Sequence, residues 1–170
     1  KNKVHVFSSN FPLYGDMSNR VMSILSKYTP NIEIYSIDEA FLEFKGFKHY
    51  DLEKYGKEIR KIILKWTGIP VSIGFAPTKA LAKVANRISK KFDNKTGGVY
   101  VISSKEKKDK ALKWLKIEDV WGIGFKHAER LKNHKINKAY DFIILPDDWV
   151  RKEMSVVGLR LKKELEGESV

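Results

Sequence analysis

The chain has 170 residues, 42% of them hydrophobic, so it is long enough to bury one or two cores. It contains no cysteine, which excludes disulfide scaffolds and thiolate zinc sites and suits a reducing cytoplasm. The net charge of +12 favours a polyanionic partner, nucleic acid first, with a lysine-rich solvated surface as the alternative. No basic helix combines its charge with an exposed aromatic face, which argues against a membrane surface. The chain opens on Lys1 without an initiator methionine, so we expect a fragment of a longer protein.

Hydrophobic periodicity predicts alternating strands and helices over the first hundred residues. Asp16 is a plausible N-cap for the first helix, which ends before Pro30. The predicted order is strand, helix, two strands, helix, strand, helix and strand, over residues 4–7, 16–28, 32–37, 40–44, 52–68, 71–75, 78–91 and 99–102. This order indicates an α+β fold with helices on one face of a sheet. Only short helices are predicted after about residue 104, which indicates a domain boundary there.

Two adjacent carboxylates, Asp38 and Glu39, interrupt a segment that otherwise has the composition of two strands. Successive side chains of a strand point to opposite faces, so both acids reach one site only if the chain turns between the strands. Close carboxylates raise each other's pKa unless a cation compensates them, and such oxygen donors suit Mg²⁺ or Mn²⁺ shared with a substrate phosphate. The alternative is an ordinary hairpin turn with both acids in water.

The segment SIDEAFLEF, residues 36–44, closely resembles the signature of the Y-family of translesion DNA polymerases, in their UmuC-like branch. Three more segments resemble that family in the same order: VFSSNFPLYGDMSNRV, GIPVSIGFAPTKALAKVANRISKK and IEDVWGIGFKHAERL. The resemblance implies a partial polymerase palm with an antiparallel or mixed sheet over residues 1–103, then a small helical thumb over residues 104–170. The sequence offers no match for the family's first metal-binding aspartate, its fingers or its little finger.

The resemblance implies that Asp38 and Glu39 are two of three carboxylates that hold two Mg²⁺ ions. It also implies that Lys90 contacts the incoming triphosphate and that Ser36 lies among the DNA contacts. The substrates would be primer–template DNA and a deoxynucleoside triphosphate. The full-length protein would act in the cytoplasm with a UmuD-like accessory subunit and the sliding clamp. The chain alone is expected to be inactive.

The helix predicted over residues 78–91 carries a basic stripe, because at about 100° per residue its cations fall opposite its apolar residues. No acidic residue interrupts this stripe, so the electrostatic fields of its cations add to one another and are not cancelled. We assign the cations to contacts with nucleic-acid phosphates or the nucleotide, and a solvated helix face is the alternative. They are Lys79, Lys83, Arg87 and Lys90.

A Gly-x-Gly turn, formed by Gly122 and Gly124, leads into a short helix predicted over residues 126–134. Glycine allows a tight turn and lets a phosphate approach backbone N–H groups, while the helix N-terminus and Lys126 add positive charge. The pattern alone often marks only a turn, but the apolar residues on both sides favour a helix-hairpin-helix. Such a hairpin contacts the sugar–phosphate backbone of DNA without reading its bases.

Together these features predict an error-prone, template-directed DNA polymerase of damage bypass and repair, which uses two-metal nucleotidyl transfer. One alternative is a non-catalytic DNA-binding protein built around the glycine hairpin. Another is a palm-like nucleotidyl cyclase or nuclease that uses the same acidic pair. Nucleotide-dependent primer extension by the full-length protein separates these three functions.

Overall fold

The computed structural model describes residues 3–47 and 49–170, which divide into two compact units. The first unit comprises Lys1–Tyr50 and Lys61–Pro70, and the second comprises Asp51–Arg60 and Val71–Val170. Both helices and strands are present, which confirms the predicted α+β class. Over the described ranges, none of the helices has the length and apolar character needed to cross a lipid bilayer.

The first unit contains helix α1, Phe11–Leu25, which begins before the predicted N-cap, Asp16. Asn10 caps this helix instead, because its side-chain oxygen accepts a hydrogen bond from the Leu13 N–H at 3.1 Å. Pro12 lies in the first turn, where its missing N–H costs no helical hydrogen bond. The short polar side chain and the proline therefore determine where the helix starts.

Strands β1 (Ile32–Ile34) and β2 (Ala40–Leu42) form an antiparallel hairpin in the first unit. The Thr29 hydroxyl donates to the Glu43 carbonyl at 2.7 Å and closes the open end of the hairpin. Strand β1 is shorter than predicted because the chain leaves the ladder after Ile34 to form the connection, and β2 ends at Leu42, two residues before its predicted end. The strand predicted at residues 4–7 is irregular, since no strand of the described part of the chain pairs with it.

Helix α2 (Leu52–Thr67) contributes residues to both units. Within the second unit, Gly56 allows α2 to lie against two apolar side chains. A Cβ at this position would lie only 2.8 Å from Phe75 and 2.8 Å from Val99. A larger residue at position 56 would therefore push the helix away from the strands that carry these side chains.

The second unit contains a parallel β-α-β crossover, in which α3 connects the two paired strands. Its elements are β3, α3, the short α4 and β4, over Ile73–Phe75, Lys79–Lys91, Asp93–Thr96 and Val99–Val101. Gly74 permits the close approach, because a Cβ there would lie 2.2 Å from the Asn86 backbone nitrogen. In the described residues the β3–β4 ladder is separate from the β1–β2 ladder, so the single predicted sheet is two small ones.

Further helices complete the second unit and share one hydrophobic core with α3. They are α5, a 3₁₀ turn, α6, α7 and α8, over Lys105–Trp114, Ile117–Asp119, Phe125–Asn133, Ala139–Ile143 and Asp147–Glu166. The longest of these helices, α8, is kinked at Ser155. The fully buried side chains of this core include Leu81, Leu112, Phe142, Val150 and Leu165. The second unit therefore includes chain on both sides of residue 103, and the palm–thumb boundary at that residue stays a prediction.

Candidate active site and nucleic-acid interface

The acidic pair lies in the connection between β1 and β2, residues 35–39. The backbone N–H groups of Tyr35 and Ser36 both donate to the Glu39 carbonyl oxygen at 3.0 Å. These bonds close the connection as a compact loop. The chain therefore turns between the two strands, as it must if both carboxylates are to serve one site.

Within this loop, Ser36 fixes the side chain of Asp38. The Ser36 hydroxyl donates to an Asp38 carboxylate oxygen at 2.7 Å, and the Asp38 N–H approaches the same hydroxyl oxygen at 3.4 Å. Asp38 is exposed and Glu39 is half-buried. Because water reaches Asp38, its charge needs no buried counter-ion. The contact of Ser36 with DNA stays a prediction, since the bond that the structure shows is to Asp38.

An aromatic contact supports the loop. Ile32 and Phe41 are half-buried, whereas Ile34 is 59% exposed at the end of its strand. The Tyr35 ring meets the Phe41 ring edge-on, with 5.8 Å between the ring centroids. This contact holds the first residue of the loop against β2.

Asp38 and Glu39 supply the hard oxygen donors that Mg²⁺ prefers. Over residues 3–47 and 49–170, no group of three or more histidines and carboxylates is arranged to hold a metal ion. Magnesium usually keeps several waters and is bound through one or two carboxylates plus substrate phosphates. The donor set on the loop fits that mode of binding, with phosphate and water as the remaining ligands.

The N-terminus of α3 is capped from two directions. Thr78, the N-cap residue, accepts from the Leu81 N–H at 3.3 Å and donates to the Glu164 carbonyl at 2.7 Å. The carboxylate of Glu164, on α8, accepts from the Ala80 N–H at 2.8 Å. The sequence gives no signal for Glu164, because this contact joins residues that are 84 positions apart.

The two faces of α3 agree with the predicted pattern. Its buried side consists of Ala80, Leu81, Val84, Ala85, Ile88 and Ser89. Of the four predicted cations, Lys83 is half-buried and the others, Lys79, Arg87 and Lys90, are exposed. The helix therefore presents positive charge outward while its apolar side joins the core, and the ligand of these cations stays a prediction.

Arg87 forms an ion pair that the sequence does not predict. Its guanidinium lies 2.5 Å from a carboxylate oxygen of Asp119, at the end of the 3₁₀ turn that precedes the glycine hairpin. The pair joins the middle of α3 to the entrance of the hairpin. Asp119 also balances part of the charge that we assigned to phosphate contacts, so a DNA contact of Arg87 stays a prediction.

The two hairpin glycines differ in conformation. Gly122 has φ of +90°, in the left-handed region that favours glycine, whereas Gly124 has an ordinary φ of −77°. Ile123 between them is buried and anchors the loop in the core. The unusual backbone angle is therefore needed at only one of the two predicted positions, and Gly124 leaves open space beside α6.

Charge around the hairpin is unevenly balanced. Lys132 on α6 lies 3.1 Å from Glu118. The pKa of the Glu118 carboxyl is lowered, mainly by a backbone hydrogen bond and secondly by the hydrogen bond from Lys132. Glu118 is therefore ionised and is already paired with Lys132. Lys126 is exposed and forms no ion pair with any residue that the structure describes. Phe125, the first residue of α6, is 83% exposed. The tip of the hairpin therefore presents a cation, a ring and backbone to solvent.

Residues 1–87 of the chain match the impB/mucB/samB family, described as IMS. The matched residues are just over half of the chain, and they include the acidic loop and α3 as far as Arg87. The chain belongs to this family.

Relatives of the family align over nearly the whole chain. The protein UmuC of Salmonella typhimurium is 42% identical over 169 residues, which cover 99% of the chain and 40% of UmuC. The DNA polymerase IV of Sulfurisphaera tokodaii is 33% identical over 147 residues, which cover 84% of the chain and 39% of that polymerase. The chain thus spans about 40% of the length of these relatives.

Solved structures of DNA polymerases share the fold. A DinB-family error-prone DNA polymerase from Sulfolobus solfataricus superposes with a TM-score of 0.76 at 29% identity, covering 98% of this chain and 50% of the polymerase. An insertion ternary complex of Dbh DNA polymerase gives 0.73 at 29% identity, covering 92% and 46%. The predicted resemblance to Y-family polymerases is confirmed.

Family membership leaves one predicted relation open. The acidic pair belongs to the first unit, whereas Lys90 and the hairpin at residues 122–126 belong to the second. The predicted contact of Lys90 with the triphosphate of the acidic-pair site therefore stays a prediction.

Proposed function

We propose that the chain forms part of an error-prone, template-directed DNA polymerase that copies damaged DNA. The observation that carries the proposal is the exposed carboxylate loop, with Asp38 and Glu39 side by side, inside the residues that match the family. The relatives named above, UmuC and DNA polymerase IV, support the same function. The chain covers less than half of each of them, so the activity belongs to a longer protein in this proposal.

Asp38 and Glu39 would hold the two Mg²⁺ ions of a nucleotidyl transfer. Bound together, such ions stabilise charge on the attacking and leaving oxygens. Ser36 is a positioning residue in this scheme, because its hydroxyl orients one Asp38 oxygen and leaves the other to a ligand. Lys90, exposed in the last turn of α3, would offset the negative charge of the triphosphate.

The hairpin would hold the DNA duplex by its backbone. Gly122 and Gly124 are exposed, Lys126 is an exposed cation and α6 begins beside them. Backbone N–H groups at a helix N-terminus bind phosphate without regard to base sequence. Lys79, Lys83 and Arg87 are proposed as secondary phosphate contacts.

The partners follow from the family rather than from geometry. We propose primer–template DNA and a deoxynucleoside triphosphate as substrates. For the full-length cytoplasmic protein we propose a UmuD-like accessory subunit and the sliding clamp.

The test uses the full-length protein that contains this chain. Asp38→Asn and Glu39→Gln keep the size of each side chain and remove its charge. Each should slow primer extension about a thousandfold, because several kcal/mol of metal-dependent stabilisation are lost and every 1.4 kcal/mol is a factor of ten. Duplex affinity should change less than about twofold, since the hairpin provides it.

Glu58→Gln is the matched control, because Glu58 is an exposed carboxylate on α2 outside the loop. It should extend primers at the wild-type rate. Near-normal extension by either loop variant would overturn the metal-site assignment. A wild-type protein that binds duplex but never incorporates nucleotide would instead support the non-catalytic alternative, and cleavage without nucleotide would support a nuclease.

A further inference from the structure

Two lysines of the second unit face each other across an isolated antiparallel bridge. Lys116 follows α5, Lys138 precedes α7, and the bridge pairs them directly. The backbone N–H groups of Ile117 and Ala139 donate across the bridge on either side, at 2.9 and 3.0 Å. This pattern marks a non-hydrogen-bonded pair, in which the Cα atoms are about 4.5 Å apart and the side chains are closest.

A third lysine lies at the same place. The ammonium of Lys113 lies 4.6 Å from the ring centroid of Tyr140, and that of Lys138 donates to the Trp114 carbonyl at 3.3 Å. Together with the Lys116–Lys138 bridge, these contacts place all three lysines at the junction between α5 and α7, called the seam. Lys113, Lys116 and Lys138 are called the seam lysines below.

The acids near the seam are already engaged. Asp141 accepts from the backbone N–H groups of Asn137 and Lys138 at 3.1 and 2.9 Å, and Glu118 pairs with Lys132. In the described part of the chain, no seam lysine has a carboxylate within ion-pair distance. Like charges directly opposite each other in a bridge are destabilising. Lys116 contributes to lowering the pKa of the Glu118 carboxyl, but that acid forms its ion pair with Lys132, so the cluster keeps positive charge that an external anion can balance.

We propose that the seam lysines form a second nucleic-acid surface, separate from the hairpin at residues 122–126, which binds phosphates of the backbone. Ammonium groups bind phosphate as point charges, without the fixed fork by which arginine reads a base edge. The surface would therefore add affinity without sequence preference. The inference rests on the proposed action on DNA, which selects nucleic acid over an acidic protein.

The test measures the affinity of the chain for a labelled duplex over a salt series. Lys116→Gln should weaken binding about eightfold at 0.1 M salt and reduce the slope of log K against log salt by about 0.9, because one phosphate contact is lost. Changing all three seam lysines to glutamine should reduce that slope by about 2–3. Lys105→Gln, which removes an exposed lysine from the first turn of α5, is the control for net charge and should change the affinity less than twofold.

A thermal melt separates this effect from misfolding. Lys116 is exposed and faces another cation, so Lys116→Gln should keep the melting midpoint or raise it by about 1–2 °C. Equal losses of affinity for Lys116→Gln and Lys105→Gln would overturn the surface, since net charge alone would then explain both. Polyglutamate, measured in parallel, represents an acidic protein: seam variants that lose affinity for polyglutamate but keep their affinity for the duplex would also overturn the surface. If hairpin variants lose affinity while seam variants do not, the proposed function stands and this inference fails. A wild-type chain that does not bind duplex refutes this inference and the hairpin contact, while the polymerase activity is decided by primer extension with the full-length protein.

Discussion

Substituting the two hairpin glycines separates the stability of the loop from its affinity for DNA. Gly124 has ordinary backbone angles and nothing within 4 Å of an added Cβ. Gly124→Ala should therefore keep or raise the free energy of unfolding, by up to about 1 kcal/mol, because it restricts the unfolded chain. Gly122→Ala forces a side chain into the left-handed region and should cost about 1–2 kcal/mol. Its Cβ would lie 3.5 Å from Leu161, an ordinary contact that adds no clash.

If the hairpin binds DNA as proposed, both methyl groups would occupy the space through which a phosphate approaches it. Gly124→Ala should weaken duplex binding about tenfold, because one hydrogen bond to a charged group contributes about 1.5 kcal/mol. The loss should be equal on two unrelated sequences, since the contact is with the backbone. Fluorescence anisotropy gives the affinity and urea denaturation gives the stability of the same variants. A Gly124→Ala chain that binds duplex like the wild type would refute the hairpin assignment.

Three further predictions concern contacts that hold the second unit together. Arg87→Ala and Asp119→Ala should each lower the free energy of unfolding measured in urea. A double-mutant cycle should give a coupling energy of up to about 1 kcal/mol between them. Strictly additive effects would show that the ion pair contributes nothing to stability. Hydrogen bonds from Lys162, then from the adjacent lysine, lower the pKa of the Asp147 carboxyl. The ionised Asp147 therefore stabilises the fold above the unfolded pKa of about 3.8, and this stabilisation is lost as pH falls through the lower folded pKa. Below about pH 4, urea midpoints should consequently fall less steeply in Asp147→Asn than in the wild type. Glu164→Ala should cost about 1 kcal/mol, measured in the same way, because it leaves an N-terminal N–H of α3 without its acceptor; an unchanged midpoint would show that water replaces the carboxylate.

Local patterns predict the parts of the site that depend on local interactions. The period of α3 separates cations from apolar residues over a single helix, and Thr78 caps that helix from the adjacent position. The acidic pair needed only a turn between two short strands, and the hydrogen bonds to the Glu39 carbonyl provide it. In each case the deciding contacts lie within a few residues of one another, so the sequence contains the information.

Contacts between distant residues account for what the sequence did not predict. The cap from Glu164 and the ion pair between Arg87 and Asp119 join elements that are far apart along the chain. No periodicity or spacing identifies such partners. The same limit applies to the sheets, because a strand pattern does not specify which strand it pairs with. The segment at residues 4–7 shows this, since its alternation is strand-like and its structure is irregular.

The second unit fixes the position of Lys90 relative to the glycine hairpin. The apolar face of α3 lies in the same core as α5, α6 and α8, and Glu164 on α8 caps the start of α3. The ion pair between Arg87 and Asp119 joins α3, close to Lys90, to the entrance of the hairpin. Any displacement of the hairpin must therefore carry α3 with it or break these contacts. In the proposed polymerase, the contacts of the hairpin with the DNA backbone would thereby hold the duplex at a fixed position relative to Lys90, the proposed triphosphate contact. Weakening the ion pair through Asp119→Ala should then disturb nucleotide use before it disturbs duplex affinity, because this change leaves all the proposed phosphate contacts in place.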